Sequence, residues 1–136
     1  MVDEIVIPIA NDHDIVMARQ RGRELAGRLN FSVTDLTLIA TAISEIARNI
    51  TAYAGTGEVR LELVNSAGRG GIVVIATDRG PGIPDVDRAV QDGYSSGQGL
   101  GLGLPGARRL MDEFEIRSTI GVGTTVIMRK WVRDRG

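Results

Sequence analysis

The run Gly99-Leu-Gly101-Leu-Gly103-Leu104 carries a glycine at every second position and leads into a helix start. Two earlier stretches, Glu45-Ile-Ala-Arg-Asn49 and Asp78-Arg-Gly80-Pro-Gly82, read with it as parts of one site. Glycines leave backbone N–H groups open to a ligand, and a helix N-terminus directly after them adds a favourable dipole, so the ladder suits phosphate. A flexible linker would also be glycine-rich, but it has no use for Leu100, Leu102 and Leu104 at ordered positions.

Asp78 stands where a β-rich run enters the Gly80-Pro-Gly82 turn. An ionised carboxylate only accepts hydrogen bonds, so it suits the exocyclic amino group of adenine and opposes the carbonyl that guanine presents there. Gly80 and Gly82 let the backbone turn sharply and approach a flat base; a plain turn is the simpler alternative. Glu45 and Asn49 are one helical turn apart, which stacks a carboxylate and an amide on one stripe. The amide oxygen can serve as a magnesium ligand where phosphates and water complete the shell, and the carboxylate can take a proton from an attacking hydroxyl or water. Taken alone, the same residues also fit a solvated helix face.

Outward from these stretches the pattern is that of a mixed chain. Ile5, Ile7 and Ile9 at period two predict a strand over residues 2 to 9, with Pro8 marking an edge or an end. Asp12 or Asp14 can cap a helix running through Ile15, Ala18, Leu25 and Leu29 to about Asn30, whose other face carries Arg19, Arg21, Arg23 and Arg28. Those arginines read as a solvated face or, more weakly, as a docking surface. Ser32 or Thr34 can cap a longer helix to about Tyr53, with Leu36, Ile39, Ile43, Ile46 and Ile50 recurring on one side and Gly55 and Gly57 ending it.

Residues 58 to 64 and 72 to 77 predict strands joined by the turn-forming cluster 65 to 71. Residues 79 to 99 predict a long loop with at most a short helical piece near Val86 to Val90, and loops of that length are commonly functional. A helix from Leu104 to Phe114, with Pro105 in its first turn, and strands over 115 to 119 and 124 to 132 around Gly121-Val-Gly123 close the chain. The order predicts an α+β two-layer sandwich: a mixed, mostly antiparallel sheet with helices packed on one face.

With 136 residues the chain has the size of one domain, read here as 1–136 with a lid at about 85–98. A net charge of −1 selects neither nucleic acid nor an acidic membrane surface, so no nucleic-acid and no membrane partner is expected. The absence of cysteine excludes disulfides, thiolate metal sites and a cysteine nucleophile. The N-terminus lacks a basic segment followed by an apolar block, and the longest apolar run, Ile72 to Ala76, is far too short to span a bilayer; the expected location is cytoplasmic.

In their order and spacing the three stretches resemble the N, G1 and G2 boxes of the histidine-kinase-like (GHKL) ATPases, and Gly121-Val-Gly-Thr124-Thr125 is similar to the last box of that superfamily. The resemblance covers essentially the whole chain and implies a Bergerat-type fold and ATP with Mg2+ as cofactors. It implies Glu45 as general base and Asn49 as magnesium ligand. Asp78 would read adenine, with Gly80, Gly82, Gly99, Gly101, Gly103 and Leu104 as nucleotide contacts and Thr124 helping to hold the adenine-side aspartate. Within the superfamily, Ser44-Glu-Ile-Ala-Arg-Asn49, Tyr53-Ala-Gly55 and Pro105-Gly-Ala-Arg-Arg109 look most like the small anti-sigma-factor and switch-kinase group, of the stressosome type. The lone histidine, His13, is read as a surface or capping residue, not a phosphoacceptor.

That resemblance implies a serine/threonine protein kinase acting on STAS-domain proteins, with a downstream regulator and a homodimer as further candidate associations. The alternative from the same site is a nucleotide-dependent anti-sigma factor or adaptor whose main activity is partner binding. Simple ATP hydrolysis, with Glu45 activating water, is the third.

Overall fold

The computed structural model describes residues 3–83 and 103–133. Strand β1 (Glu4–Ile9) is followed by helices α1 (Asp12–Ala26) and α2 (Val33–Tyr53), then strands β2 (Gly57–Ser66) and β3 (Arg69–Asp78). Helix α3 (Gly103–Leu110) and strands β4 (Glu113–Thr119) and β5 (Gly123–Trp131) complete the described chain. The five strands form one sheet in the order β1-β2-β3-β5-β4. Every pairing among the described strands is antiparallel, where the sequence reading expects a mixed, mostly antiparallel sheet.

The α1 start differs from expectation by a residue. Asn11, with extended φ −158° and ψ 177°, is the cap. Its Oδ1 accepts from the Asp14 N–H at 3.0 Å, while Asp14 Oδ2 accepts from the Ala10 N–H at 2.8 Å. Asn and Asp cap about equally well, so only the backbone turn decides among Asn11, Asp12 and Asp14. The helix stops at Ala26, with Gly27 as its C-cap, before reaching Asn30. For α2 the cap is Ser32, whose Oγ accepts from the Asp35 N–H at 3.0 Å.

Ile39, Ile43, Ile46 and Ile50 of α2 are fully or almost fully buried, as their spacing predicts. They pack on the sheet face built by Ile7 and Ile9 of β1, Val59 and Leu61 of β2, Ile72, Val74 and Ala76 of β3, and Val126 and Met128 of β5. Each such aliphatic side chain contributes roughly 1.5–3 kcal/mol of burial. Ala40, Ala42 and Ala47 let α2 lie between the sheet and its neighbouring helices.

The strands of the β2–β3 hairpin run further into the turn cluster than expected. Ala67 and Gly68, at φ 54° and 80°, form a tight connection of the kind that matches strand twist. Helix α3 is correspondingly shorter than the Leu104–Phe114 reading. Asp112 leaves the helix, its N–H donating to the Arg129 carbonyl and its Oδ2 accepting from the Trp131 N–H at 2.9 Å. Pairing with β5 then claims Phe114, opposite Met128. Among the described residues no helix is long and apolar enough to cross a membrane.

Topology fixes where chemistry can gather. The register aligns Gly57 at the start of β2, Asp78 at the end of β3 and Thr124 at the start of β5 on one row. The C-terminal half of α2 covers that end of the sheet, since a Cβ added to Gly57 would lie 2.8 Å from the Ile50 Cγ2.

Candidate active site

Glu45 lies on the face of α2 that packs toward α3, and only 7% of it is exposed. Both carboxylate oxygens are engaged: Oε1 accepts from Arg48 Nη1 at 3.1 Å and Oε2 from the Gly103 N–H at 3.1 Å. A buried carboxylate held this way is no solvated face. One turn on, Asn49 is half-buried, and its side chain makes no hydrogen bond among the described residues. Its amide oxygen is therefore free to bind a ligand.

No group of three or more His, Cys, Asp or Glu able to hold a metal ion occurs among the described residues. Magnesium in a nucleotide site takes few protein oxygens, and the unengaged Asn49 amide oxygen is a donor of that kind. His13 is exposed near the start of α1.

At the end of β3, Asp78 is half-buried and its Oδ1 accepts from the Gly80 N–H at 2.9 Å. The local bond fixes the carboxyl plane and leaves Oδ2 to accept from outside. Gly80 is required by close approach: a Cβ there would sit 2.6 Å from the Ala54 Cβ at the end of α2. Gly82 is required twice, by φ +83° and because a Cβ would lie 2.6 Å from the Thr119 carbonyl oxygen.

The 79–83 segment is latched onto the β4–β5 hairpin. Ser118 Oγ accepts from the Ile83 N–H at 2.7 Å and lies 2.8 Å from Thr124 Oγ1, while the Gly121 N–H donates to the Pro81 carbonyl at 2.9 Å. Thr124, 6% exposed, thus reaches Ser118 with its hydroxyl and Asp78 through the backbone pairing of β3 with β5.

Of the site residues read from sequence, Glu45 and Gly103 come into direct contact, with Leu104 buried behind Gly103. Asp78, Gly80, Gly82 and Thr124 gather at the neighbouring end of the sheet, beneath the last turns of α2. Gly99, Gly101 and the lid at about 85–98 lie outside the described residues, as does the helical piece near Val86 to Val90. Two participants went unassigned in the sequence reading. Arg48 was legible as an i,i+3 partner of Glu45. Ser118 gave no local signal, because its role depends on the Ser118↔Thr124 register.

Known proteins resemble the chain in both sequence and fold. A family model described as the histidine kinase-like ATPase domain matches residues 9–130. The serine/threonine-protein kinase RsbT of Bacillus subtilis is 49% identical over 133 residues, covering 98% of this chain and 100% of that one. An anti-sigma F factor of Pasteuria penetrans is 34% identical over 113 residues, covering 76% and 73%.

Among solved structures, the RsbU and RsbW domains of a Mycobacterium tuberculosis protein superpose with a TM-score of 0.67 at 18% identity. That match covers 98% of this chain and 34% of the other, so this chain spans about a third of it. A mycobacterial sensor histidine kinase, MprB, gives a TM-score of 0.56 at 21% identity over 95% and 99% of the two chains. Those two matches speak to the fold alone. With the family model running from β1 to β5, the chain belongs to the histidine kinase-like ATPase domain family.

Proposed function

We propose that this protein is an ATP-dependent serine/threonine kinase that phosphorylates STAS-domain partner proteins in a bacterial stress-signalling partner switch. The observation that carries the reading is the buried Glu45 carboxylate, one turn from an unengaged Asn49 and in contact with the first amide of α3. The end-to-end identity to a curated serine/threonine kinase supports it.

In this reading adenine lies over the Gly80–Gly82 turn, with its amino group donating to Asp78, and the phosphates meet the N-terminus of α3. Asn49 would hold a magnesium ion through its amide oxygen, and the ion would neutralise charge on the phosphate oxygens. Glu45 accepts the proton of the acceptor serine or threonine as its hydroxyl oxygen forms a bond to the γ-phosphorus. The bond from that phosphorus to the β-bridging oxygen breaks, and ADP leaves with the electron pair. The chain's own contribution is placement: Asp78 fixes the base end and Asn49 the phosphate end, with Glu45 at the reacting oxygen.

Transfer of labelled γ-phosphate to purified STAS-domain proteins tests the reading. Wild type is expected to label the partner, and Glu45→Ala to reduce the rate by about 100-fold or more while retaining its folded spectrum. Labelling by Glu45→Ala at the wild-type rate would remove the base assignment. Similarity to anti-sigma F factors favours a second reading, in which nucleotide-dependent binding of a sigma factor is the main activity. A pull-down in which a sigma factor is retained and STAS-domain proteins are not, in the presence of ATP, would select it.

A further inference from the structure

Arg48 has no part in the mechanism above, and the Gly103 N–H has two. Glu45 Oε2 accepts from that N–H at 3.1 Å, yet Gly103 opens α3, and the first N–H groups of a helix have no acceptor within the helix and suit a phosphate. A nine-tenths buried carboxylate and a phosphate oxygen therefore compete for one donor. The other carboxylate oxygen is held independently by Arg48, whose own side chain is 42% exposed and belongs to the same helix. Arg48 can keep its bond to Oε1 whatever happens at Oε2.

We infer that nucleotide binding exchanges the acceptor of the Gly103 N–H, from Glu45 Oε2 to phosphate. The exchange releases the catalytic carboxylate toward the acceptor hydroxyl, while Arg48 acts as a positioning residue that keeps Oε1 in place. This rests on the kinase reading for the catalytic part, though the exchange itself concerns only nucleotide and chain. An oxygen engaged by the Gly103 amide is not open to the acceptor hydroxyl. Base and phosphate are thus coupled: Oε2 becomes available in the molecule that has a phosphoryl group to transfer. A carboxylate released on both oxygens would swing freely, and the Arg48 bond confines it to rotation about one fixed contact.

The test is the Gly103 amide signal in 15N-labelled protein, with and without a saturating non-hydrolysable ATP analogue and magnesium. Without nucleotide, Glu45→Ala is expected to move that signal away from its wild-type position, because the amide loses its acceptor. With the analogue bound, the signals of wild type and Glu45→Ala are expected to converge, since phosphate is then the acceptor in both. The analogue is expected to bind Glu45→Ala at least as tightly as wild type. If the two signals remain as far apart with analogue as without it, Glu45 has kept the amide and the exchange is wrong.

For Arg48, steady-state phosphotransfer supplies the readout. Arg48→Gln is expected to lower kcat by about 10-fold or more with KM for ATP within about 2-fold of wild type, and Arg48→Lys to recover most of the loss. A change confined to KM, or no recovery with lysine, rejects the positioning role. Failure of the kinase reading alone looks different: wild type transfers nothing to any acceptor, while the amide signals still converge.

Discussion

Ser118 is a single hydroxyl on which the shape of the candidate nucleotide turn depends. It accepts from the Ile83 N–H at 2.7 Å on one side and meets Thr124 Oγ1 at 2.8 Å on the other, joining the loop after β3 to the β4–β5 hairpin. Removing it leaves a part-buried N–H without its acceptor, a loss of about 1–3 kcal/mol concentrated in one loop. Ser118→Ala is therefore expected to weaken ATP affinity by about 5- to 30-fold, with a smaller effect on kcat, and Ser118→Thr to retain most of the affinity. Calorimetric titration with ATP checks this; unchanged affinity in Ser118→Ala would show that the latch does not shape the site. The residues at this scale divide by how their roles are encoded. Glu45 with Asn49, and Asp78 with its glycines, were legible because their chemistry lies in short spacings along one element. Ser118 was not, because hydroxyls five and six residues from their partners become neighbours only when β4 pairs with β5.

Among the elements, the β1–β2 pair contains an electrostatic conflict that makes its stability depend on pH. The register sets Glu4 directly opposite Glu62. Glu62 is raised from its ordinary value, first by a side-chain hydrogen bond with Glu4, then by burial and by the Glu4 charge, with Arg60 opposing. Arg60 Nη1 lies 3.1 Å from Glu4 Oε1 and so relieves only part of the repulsion. The folded chain holds the Glu62 proton to higher pH than the unfolded chain does. The bonded pair thus adds stability below the unfolded glutamate value and loses it as pH rises through the raised folded value. Glu62→Gln keeps a donor for Glu4 at every pH. It is expected to stabilise the protein by a few tenths of a kcal/mol at about pH 7.5, and to make no difference at about pH 3.5, in urea unfolding. A stabilisation that persists unchanged at the acid end would rule out titration of this pair as its cause.

Element boundaries show a similar limit on what the chain declares locally. The α2 isoleucines specified that helix and its buried face correctly, because a long apolar stripe outweighs any single residue. The end of α3 was misread because Met111 to Phe114 fit a helical stripe as well as a strand, and only the Asp112 bonds to β5 settle the matter.

For the whole molecule, the question is what holds α3, which delivers Gly103 to Glu45, in place against the rest. At its N-terminal end the helix meets α2 through that carboxylate, and Leu104 and Ala107 lie in the common core. At its C-terminal end the anchor is Lys130 of β5, 3% exposed. Its Nζ donates to the Leu110 carbonyl at 2.8 Å and lies 3.6 Å from Asp112 Oδ1. Lys130 stands opposite Ile72 on the face of the sheet otherwise occupied by Val126 and Met128, a position that alternation reserves for an apolar residue. A buried ammonium is tolerated there because a last-turn helix carbonyl, which has no partner within its own helix, and a carboxylate satisfy it together. Lys130→Met keeps the volume and removes both contacts, leaving the Leu110 carbonyl without its partner and Asp112 with the Trp131 N–H alone. The expected loss is about 1–3 kcal/mol, partly offset by the apolar fit, which for a chain of this size lowers Tm by about 2–8 °C. Because the anchor sets where α3 begins as well as where it ends, the same variant is expected to bind ATP more weakly than its stability loss alone explains at temperatures well below Tm. Thermal unfolding and ATP titration on one preparation decide the matter: a Lys130→Met protein with lowered Tm and wild-type ATP affinity would mean that α3 is held in register by its contacts with α2 alone.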